Sequence, residues 1–547
     1  MDNRIIYKLK EKARQINWPL LVFLLLVLNV KLVVKVVAII VISIINWKLV
    51  SVKDFFRQRY LFFYFGLACI GLINLLLQYK NVNITYLFAV ALGVLFWMMS
   101  AVIAYQLYKI VQRDEVSRLH NTISAFFMLH IAVIYINFLR IVFETGSINP
   151  YTYKGLNAKY YISTGDFITG ITFDAPVTTA FICAFGLIYF LCRKQFLLSI
   201  AGMAALIIMA SNFTNLVLIG VFIFAFIFNS NRLQKSFIVI YTVMFIVFMA
   251  KISPQNNEHV GRIFYQVIDK PYDLPPVKVI PLDQLKKEPD SVLNFEDRRK
   301  KYAQVYIDSM NSLRSGLGYK KMENSFAEKT KVDTGNNAKD LTFYEFRESP
   351  DMKEKINRYA DFLNDEYSAE QRDSLTKLYN WKSPGKWIAG KQLFLFLADN
   401  PAKILLGCGI ANFSSRLAQK ATLLNMAGRY PERLEYINPD FLNNHLYTYL
   451  YFHSQDQSKH EASNTPDAVY YQLAGEYGIV GLLLLLFLYF GFFIRHIRKM
   501  SFGLPLLFLL AGAFFAEYWF EQFSIVVLFE LLFFLDMKDL RREGQTV

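Results

Sequence analysis

Cysteine is scarce in this chain: four occur in 547 residues, and three of them, Cys69, Cys183 and Cys192, lie in apolar runs. Cys408 is the remaining thiol. A disulfide framework needs several paired cysteines, and a cysteine-based metal site needs several at short, regular spacing. The sequence therefore excludes both kinds of site.

Other familiar signals are also missing. No apolar segment is followed by a small-residue cleavage site, so we expect no removable signal peptide and an uncleaved first span. The sequence contains no Gly-rich phosphate loop, acidic metal motif, internal repeat or low-complexity tract. We therefore expect neither a metal nor any other cofactor.

Apolar residues dominate what is present, at 54% hydrophobic and 16% aromatic content. Runs of about 18 or more apolar residues are typical of bilayer-spanning helices. We predict an all-α polytopic membrane protein with about 12 transmembrane helices. Lys31 lies between the first two spans and Lys35 within the second, and both would have to snorkel. The predicted spans are Pro19–Val30, Val33–Ile45, Leu61–Leu77, Thr85–Leu107, Ile123–Val142, Ala175–Cys192, Phe196–Ala210, Thr214–Phe228, Phe237–Met249, Leu473–Ile494, Leu504–Trp519 and Phe523–Leu535.

Positive charge alternates along the connections between these spans and fixes their direction. By the positive-inside rule, both termini are cytoplasmic and the long insert before the last three spans is extracytoplasmic. The formal net charge of +15 then reflects membrane orientation in part, rather than a nucleic-acid partner. The basic connections contain Lys109, Arg113 and Arg118; Arg193 and Lys194; Arg232 and Lys235; Arg495, Arg498 and Lys499; and Lys538, Arg541 and Arg542.

The predicted organisation has three parts. Residues 1–251 form an N-terminal bundle of about nine helices, residues 252–470 a large, mostly helical extracytoplasmic domain, and residues 471–547 about three more helices with a cytoplasmic tail. Within the insert, the proline-rich stretch Ser253–Leu282 predicts an extended connector. Residues 288–380 are highly charged and predict small helices. Ser383 as N-cap and Pro384 at the first helical position predict a helix ending at Asn400–Pro401.

Histidines and basic residues concentrate in the last part of the insert. His445, His453 and His460 lie within sixteen residues, and histidine is the usual side chain for proton transfer near neutral pH. The alternative is that each of them is a surface or packing residue in a Tyr-rich, interfacial segment. Arginine binds phosphate bidentately and lysine acts as a point charge, although a solvated face fits most of these residues singly. The basic residues are Lys386, Lys391, Arg416, Lys420, Arg429 and Arg433.

Ionisable residues inside apolar spans usually face a cavity or a partner. Arg140 ends the span HIAVIYINFLRIVF, which begins with His130, and both are candidates for function. Glu517 and Glu521, at the outer end of the eleventh span, are candidates for function for the same reason. Glu530, within VVLFELLFFL, is better explained as a packing or hydrogen-bonding residue.

Several short motifs together resemble the O-antigen ligase and O-antigen polymerase superfamily. G-x-G-x-x-x-F is formed by Gly407, Gly409 and Phe413. The sequence SPGKW resembles the family's Ser-Gly-Arg…Trp helix start, with Lys386 where arginine is common, and SNFTNL resembles a turn between two spans. A final element opens a span and contains Tyr470, Tyr471, Gln472, Leu473, Glu476, Gly478 and Gly481.

The resemblance implies a fold similar to the C-type glycosyltransferases and transfer of glycan from undecaprenyl pyrophosphate, as an O-antigen polymerase or ligase in polysaccharide or lipopolysaccharide biosynthesis. The acceptor would be another glycan or lipid A core, and the location the bacterial inner membrane with the loop in the periplasm. Ligases commonly have a histidine nine residues before the motif glutamate, but Asp467 stands there. Asp467, His445 and His453 are therefore the candidate proton acceptors. The expected pyrophosphate ligands are Arg140, Lys386, Arg416 and Arg433.

Two other functions remain open from the sequence. A transporter or flippase would need functional polar groups across several helices, whereas the polar residues here gather at the outer ends. A non-enzymatic membrane scaffold would use the insert to bind partners. The expected partners are thus the lipid-linked donor, the acceptor and membrane lipid, with no nucleic acid.

Overall fold

The computed structural model describes residues 14–28, 31–49, 51–78, 83–152, 168–171, 176–228, 230–267, 282–289, 295–316, 350–424, 431–455, 459–496 and 502–543. Within these ranges the secondary structure is helical and contains no strand, which confirms the predicted all-α class. Two compact units divide the chain. One contains residues 1–270 and 348–547, and the other contains residues 271–347.

The first unit begins with a series of mostly apolar helices. Each of the first nine predicted spans coincides with one of them. In chain order they are α1 Trp18–Val27, α2 Leu32–Ile45, α3 Val52–Arg57, α4 Phe62–Leu77, α5 Ile84–Arg113, α6 Val116–Thr145, α7 Pro176–Cys192, α8 Phe196–Met209, α9 Asn212–Phe228, α10 Arg232–Val247 and α11 Pro254–Val267.

The second unit contains two described helices, α12 Leu282–Leu285 and α13 Phe295–Gly316, and Lys286 pairs with Asp308 beside them. The first unit then resumes. Its remaining helices are α14 Pro350–Glu366, α15 Ala369–Leu378, α16 Gly385–Asp399, α17 Pro401–Ile404, α18 Arg416–Ala421, α19 Pro439–Phe441, α20 Tyr447–His453, α21 Val469–Leu483, α22 Gly491–Ile494, α23 Gly503–Ala513, α24 Trp519–Gln522 and α25 Ser524–Glu543.

Five helical stretches among the described residues are long and apolar enough to cross a membrane. Six shorter apolar helices accompany them, so the chain is a helical membrane protein by length and composition. Long apolar helices alternate with polar connections, which is the hydropathy pattern expected of such a protein. The five stretches are Arg59–Leu77, Ile84–Arg113, Val116–Thr145, Arg232–Ile252 and Val469–Ile494.

The last helix, α25, lies at the centre of the helical bundle. It packs against α5, α7 and α23, and its residues from Ser524 to Met537 are all buried. Its carboxylate Glu530 accepts hydrogen bonds from the hydroxyls of Tyr64 and Tyr489, the second at 3.4 Å. The hydrogen-bonding role predicted for Glu530 is thus confirmed.

Three local expectations from the sequence are wrong. In the predicted extended connector, residues Pro254–Val267 are helical, because Pro254 stands at the first helical position, where its missing N–H costs nothing. Residues 268–281 of that connector lie outside the described residues. Lys35 does not snorkel: it is 3% exposed, and its ammonium donates to the Gln522 carbonyl at 2.7 Å and the Ser524 hydroxyl at 2.8 Å. The predicted span ending at Trp519 stops at Ala513, where the chain turns.

The motif with Gly407 and Gly409 meets the motif with Gly478 at a break in α21. Gly478 has φ 65° and ψ −163°, a conformation that interrupts the helix. The loop containing Gly407 and Gly409 inserts at this break, where the N–H groups of Cys408 and Gly409 donate to the carbonyls of Gly475 and Glu476, both at 3.0 Å. A Cβ on Gly407 would lie 2.4 Å from the Glu476 carbonyl carbon, so the two segments approach too closely for a side chain.

Replacing Gly478 by alanine should therefore unfold this junction. The backbone conformation is essentially restricted to glycine, so strain alone costs about 1–3 kcal/mol. In addition, the new Cβ would lie 2.5 Å from the Leu405 carbonyl oxygen. We expect a lower thermal midpoint of the detergent-purified protein, measured by fluorescence-detected gel filtration after heating. Gly220→Ala is the matched control, because no atom lies within 4 Å of its Cβ position; equal midpoints for the two variants would contradict the prediction.

Candidate functional site

The site begins where α16 meets the loop Ser463–Asp467. The helix starts at Gly385, with Pro384 rather than the predicted Ser383 at the N-cap. Proline has no side chain that can cap, and the loop supplies the acceptors instead: the Asn464 side chain accepts from the Gly385 N–H at 3.2 Å, and the Ser463 carbonyl accepts from the Lys386 N–H at 2.9 Å. These bonds hold the start of α16 against the loop that contains Asp467.

Lys386 and Asp467 are brought together by this junction. The Lys386 ammonium donates to the backbone carbonyl of Asp467 and to that of Ala516, the second at 3.2 Å. The Asp467 carboxylate is 8% exposed and accepts a 2.7 Å hydrogen bond from the amide of Gln419 at Oδ1. An ammonium has three N–H donors, so one of those on Lys386 remains beyond these two bonds.

Burial changes the acidity of both groups. It raises the pKa of the Asp467 carboxyl above its ordinary value, against the opposing effects of Lys386, Gln419 and Arg416. Burial likewise lowers the pKa of Lys386, against the opposing effect of Asp467. A carboxylate with a raised pKa is a stronger base, so Asp467 is suited to accept a proton near neutral pH.

Two further cations lie on the short helix α18. Arg416 and Lys420 are one turn apart and partly buried, and neither has an ion pair or side-chain hydrogen bond to the part of the chain that the structure describes. Burial, followed by repulsion from Arg416, lowers the pKa of Lys420 to about 8. Burial raises the pKa of the Glu521 carboxyl to about 7, and both positive charges oppose this rise. The pair therefore presents positive charge that no direct carboxylate contact neutralises.

Glu521 connects α18 to the start of α21. It accepts a 2.9 Å bond from the Leu417 N–H at Oε2 and a 2.6 Å bond from the Gln472 amide at Oε1. One turn further along α21, Glu476 is completely buried. We refer to these side chains together as the polar cluster: Lys386, Arg416, Gln419, Lys420, Asp467, Gln472, Glu476, Tyr518 and Glu521.

The histidines occupy apolar surroundings. His445 is fully buried, and its Nε2 lies 3.0 Å from the Ala389 carbonyl oxygen. Its ring packs against that of Phe413, with 4.6 Å between the ring centroids. Burial lowers its pKa to about 4. His453 stacks between Tyr449 and His460, and burial lowers its pKa to about 3. Protonation of either ring is therefore unfavourable, although Lys386 is close enough to His445 to influence it.

The structure does not place every predicted phosphate ligand in the polar cluster. Arg140 is exposed and pairs with Glu144 on its own helix at 3.1 Å. Arg433 is exposed in a short 3-10 turn. Lys391 is also exposed, and Arg429 lies outside the described residues. Of the four predicted ligands, Lys386 and Arg416 lie together, and Lys420 joins them.

Sequence reasoning missed several members of this region. Gln419 and Tyr518 are neutral polar residues that belong to no motif. The hydroxyls of Tyr518 and Ser414 share a 2.6 Å hydrogen bond, and Tyr518 lies beside Asp467. Lys35 lies 487 positions from Gln522 in the sequence, and its ammonium donates a hydrogen bond to the Gln522 carbonyl, next to Glu521. A lysine within an apolar span was the available signal for Lys35, since such residues usually face the protein interior.

Comparisons of the chain with protein-family models, with curated proteins and with solved structures give no match. The part of the chain that the structure describes also contains no group of three or more His, Cys, Asp and Glu side chains placed to hold a metal ion.

Proposed function

We propose that this protein is a membrane glycosyltransferase of the O-antigen polymerase or ligase type, which transfers or polymerises glycan from undecaprenyl pyrophosphate. One observation carries the proposal: Asp467, a buried carboxylate with a raised pKa, lies near the two cations Lys386 and Arg416. Lys420 lies one turn from Arg416, and neither Arg416 nor Lys420 has a direct partner in the described chain. Transfer of a glycan from a lipid pyrophosphate to a hydroxyl needs both a base for the hydroxyl proton and a positively charged site for the leaving pyrophosphate.

The proposed reaction is a direct displacement at the anomeric carbon. The hydroxyl oxygen of the acceptor, another glycan or lipid A core, attacks this carbon while its bond to the pyrophosphate oxygen breaks. The hydroxyl proton passes to the Asp467 carboxylate. The pyrophosphate leaves with the bonding electron pair, and Arg416, Lys420 and the remaining N–H of Lys386 stabilise its charge.

The same proposal includes the arrangement in the membrane. About twelve spans, cytoplasmic termini and an extracytoplasmic region at 252–470 would place the polar cluster at the outer face of a bacterial inner membrane. The basic side chains Arg113, Arg193 and Lys538 gather at helix ends with Asp114 and Asp539, which agrees with a cytoplasmic end.

A reporter enzyme fused after Gly318 should be active only outside the cytoplasm, and activity inside it would overturn the proposal.

The decisive experiment uses purified full-length protein in liposomes with an undecaprenyl-pyrophosphate glycan. Longer lipid-linked glycan identifies a polymerase, and glycan on added lipid A core identifies a ligase. Movement of the lipid across the bilayer without product identifies a transporter or flippase. A partner-binding scaffold gives neither product nor movement, and these last two outcomes contradict the proposal.

The rate of transfer should fall at alkaline pH as a lysine loses its charge. Burial lowers the pKa of Lys420 to about 8 and also lowers the pKa of Lys386 below its ordinary value, so the ammonium forms are present at lower pH and are lost as the pH rises through these lowered pKa values. Arginine keeps its charge, so Lys420→Arg should retain activity, and replacing both lysines by arginine should move the alkaline limb to higher pH. The pH profile of kcat should be measured for Lys420→Arg, for Lys386→Arg and for the double variant; a limb that is unmoved in an active double variant would contradict the assignment.

A further inference from the structure

The turn that follows α23 packs against the segment that contains Asp467. The Phe514 carbonyl accepts from the N–H of Val469 at 2.8 Å, which ties the turn to the start of α21, two residues after Asp467. Tyr518, further along the same turn, is 1% exposed and is a side-chain hydrogen-bond partner of the Asp467 carboxyl. The turn is therefore bound to the backbone beside Asp467 and also supplies a donor to its side chain.

Two neutral side chains donate to the Asp467 carboxylate. The Gln419 amide donates to Oδ1 at 2.7 Å, and the Tyr518 hydroxyl is the other donor. The Lys386 ammonium, by contrast, donates to the backbone carbonyl of Asp467. A direct ion pair lowers the pKa of a carboxyl strongly and weakens it as a base, whereas a neutral donor holds the carboxylate with a smaller effect on its basicity.

Ser414 fixes the direction of the Tyr518 hydroxyl. The two hydroxyl oxygens are 2.6 Å apart, and both side chains are buried. A hydroxyl has one hydrogen, and an ionised carboxylate can only accept. Tyr518 therefore donates its hydrogen to Asp467, and Ser414 donates to the Tyr518 oxygen. Burial, with the charge of Asp467 as the next cause, raises the pKa of the Tyr518 hydroxyl, so this hydrogen is kept throughout the neutral range.

We propose that Tyr518 is a positioning residue for glycan transfer, whose hydroxyl holds the Asp467 carboxylate in place and favours its ionised form. The inference rests on the proposed function, because Tyr518 acts through Asp467 and touches no reactant. Burial of Asp467 favours the protonated carboxyl, which cannot accept the proton of the attacking hydroxyl. A donor to the ionised form opposes this effect of burial, so Tyr518 keeps a buried base usable.

Other titratable groups surround Asp467 and Tyr518, and replacing Tyr518 leaves all of them in place. Both cations among them favour the ionised form of Asp467. A change in the pH dependence that follows the replacement therefore reports the lost hydroxyl. The groups are Lys386 on α16, Arg416 on α18, Tyr449 on α20, Glu476 on α21, Glu517 next to Tyr518, and Glu521 on α24.

The pH profile of transfer tests this assignment. Tyr518→Phe removes the hydroxyl and keeps the ring, so the pKa of Asp467 should rise and the acid limb of kcat should move to higher pH by about 1–2 pH units. A variant that is only less well folded loses kcat by the same factor at every pH. Tyr135→Phe is the matched control, because its hydroxyl donates to the Ala201 carbonyl at 2.9 Å between α6 and α8, and its loss should leave the limb in place.

Infrared spectroscopy measures the protonation of Asp467 without turnover. The C=O stretch of a protonated carboxyl group titrates with pH, and Asp467→Asn identifies the band that belongs to Asp467. The midpoint of this band should rise in Tyr518→Phe. Ser414→Ala should shift the limb and the midpoint in the same direction by a smaller amount, because the Ser414 donor polarises and orients the Tyr518 hydroxyl.

The two measurements separate failure of this inference from failure of the proposed function. If the limb or the midpoint stays in place in folded Tyr518→Phe, the positioning role is overturned while the proposed function stands. Ser414→Ala decides in the same way if Tyr518→Phe does not fold. Absence of transfer by the unchanged protein at every pH overturns the proposed function, and the role of Tyr518 with it.

Discussion

Replacing Asp467 by asparagine should reduce glycan transfer by about 10²–10⁴-fold, the usual contribution of a general base. Asparagine preserves the shape of the side chain and can still accept the 2.7 Å hydrogen bond from Gln419, so the fold should be retained. The loss should appear in kcat, because the proton is transferred in the transition state and not on binding. Steady-state kinetics in liposomes, normalised to the amount of folded protein, measure it.

Histidine variants separate Asp467 from the alternative bases. His445 and His453 are buried among aromatic rings with pKa values lowered to about 4 and about 3, so neither readily keeps a proton during turnover. We expect His453→Ala to retain most of the activity per folded molecule. His445→Ala removes a ring that packs against Phe413, so its thermal midpoint must be measured beside its rate. A normal rate in Asp467→Asn, with a large loss in either histidine variant, would transfer the role of base to that histidine.

Hydropathy predicted the helices well because burial in lipid and helix formation depend on local sequence. The second predicted span, Val33–Ile45, and the helix Leu32–Ile45 differ by one residue. The eleventh span was overextended because FFAEYWF is apolar enough to continue the pattern, while the Ala513 carbonyl instead accepts the Trp519 indole N–H at 2.6 Å. Composition therefore predicts where a helix is possible, and tertiary hydrogen bonds decide where it ends.

The candidate site was predictable only in pieces. Lys386, Asp467, Gln472 and Glu476 were selected singly from their motifs, and these four do lie in one cluster. Their relation to Glu521 depends on contacts between segments about fifty residues apart, which no local pattern encodes. Arg140 was selected for its place in an apolar span, but its partner is Glu144, four residues away. An i, i+4 ion pair is enough to explain such a residue.

Removing a positive charge from α18 should weaken pyrophosphate binding more than removing a positive charge from the exposed surface. A hydrogen bond to a charged group contributes about 1.5–3 kcal/mol, so Arg416→Ala or Lys420→Ala should each lower kcat/KM by about 10–150-fold. The double variant should lose less than the product of the two, because neighbouring charges share one ligand. The measurement is transfer rate against donor concentration in liposomes of fixed composition.

Matched controls make this charge prediction specific to α18. Arg358 and Lys377 are exposed and pair with acids four residues away, so their alanine variants remove the same charges without reaching the cluster. Both should keep normal kcat/KM. Arg433→Ala discriminates further, since the sequence predicted this residue as a phosphate ligand while it lies exposed in a turn. If Arg433→Ala loses activity and the two α18 variants do not, the pyrophosphate binds at the turn near Arg433, and the mechanism written around Arg416 and Lys420 fails.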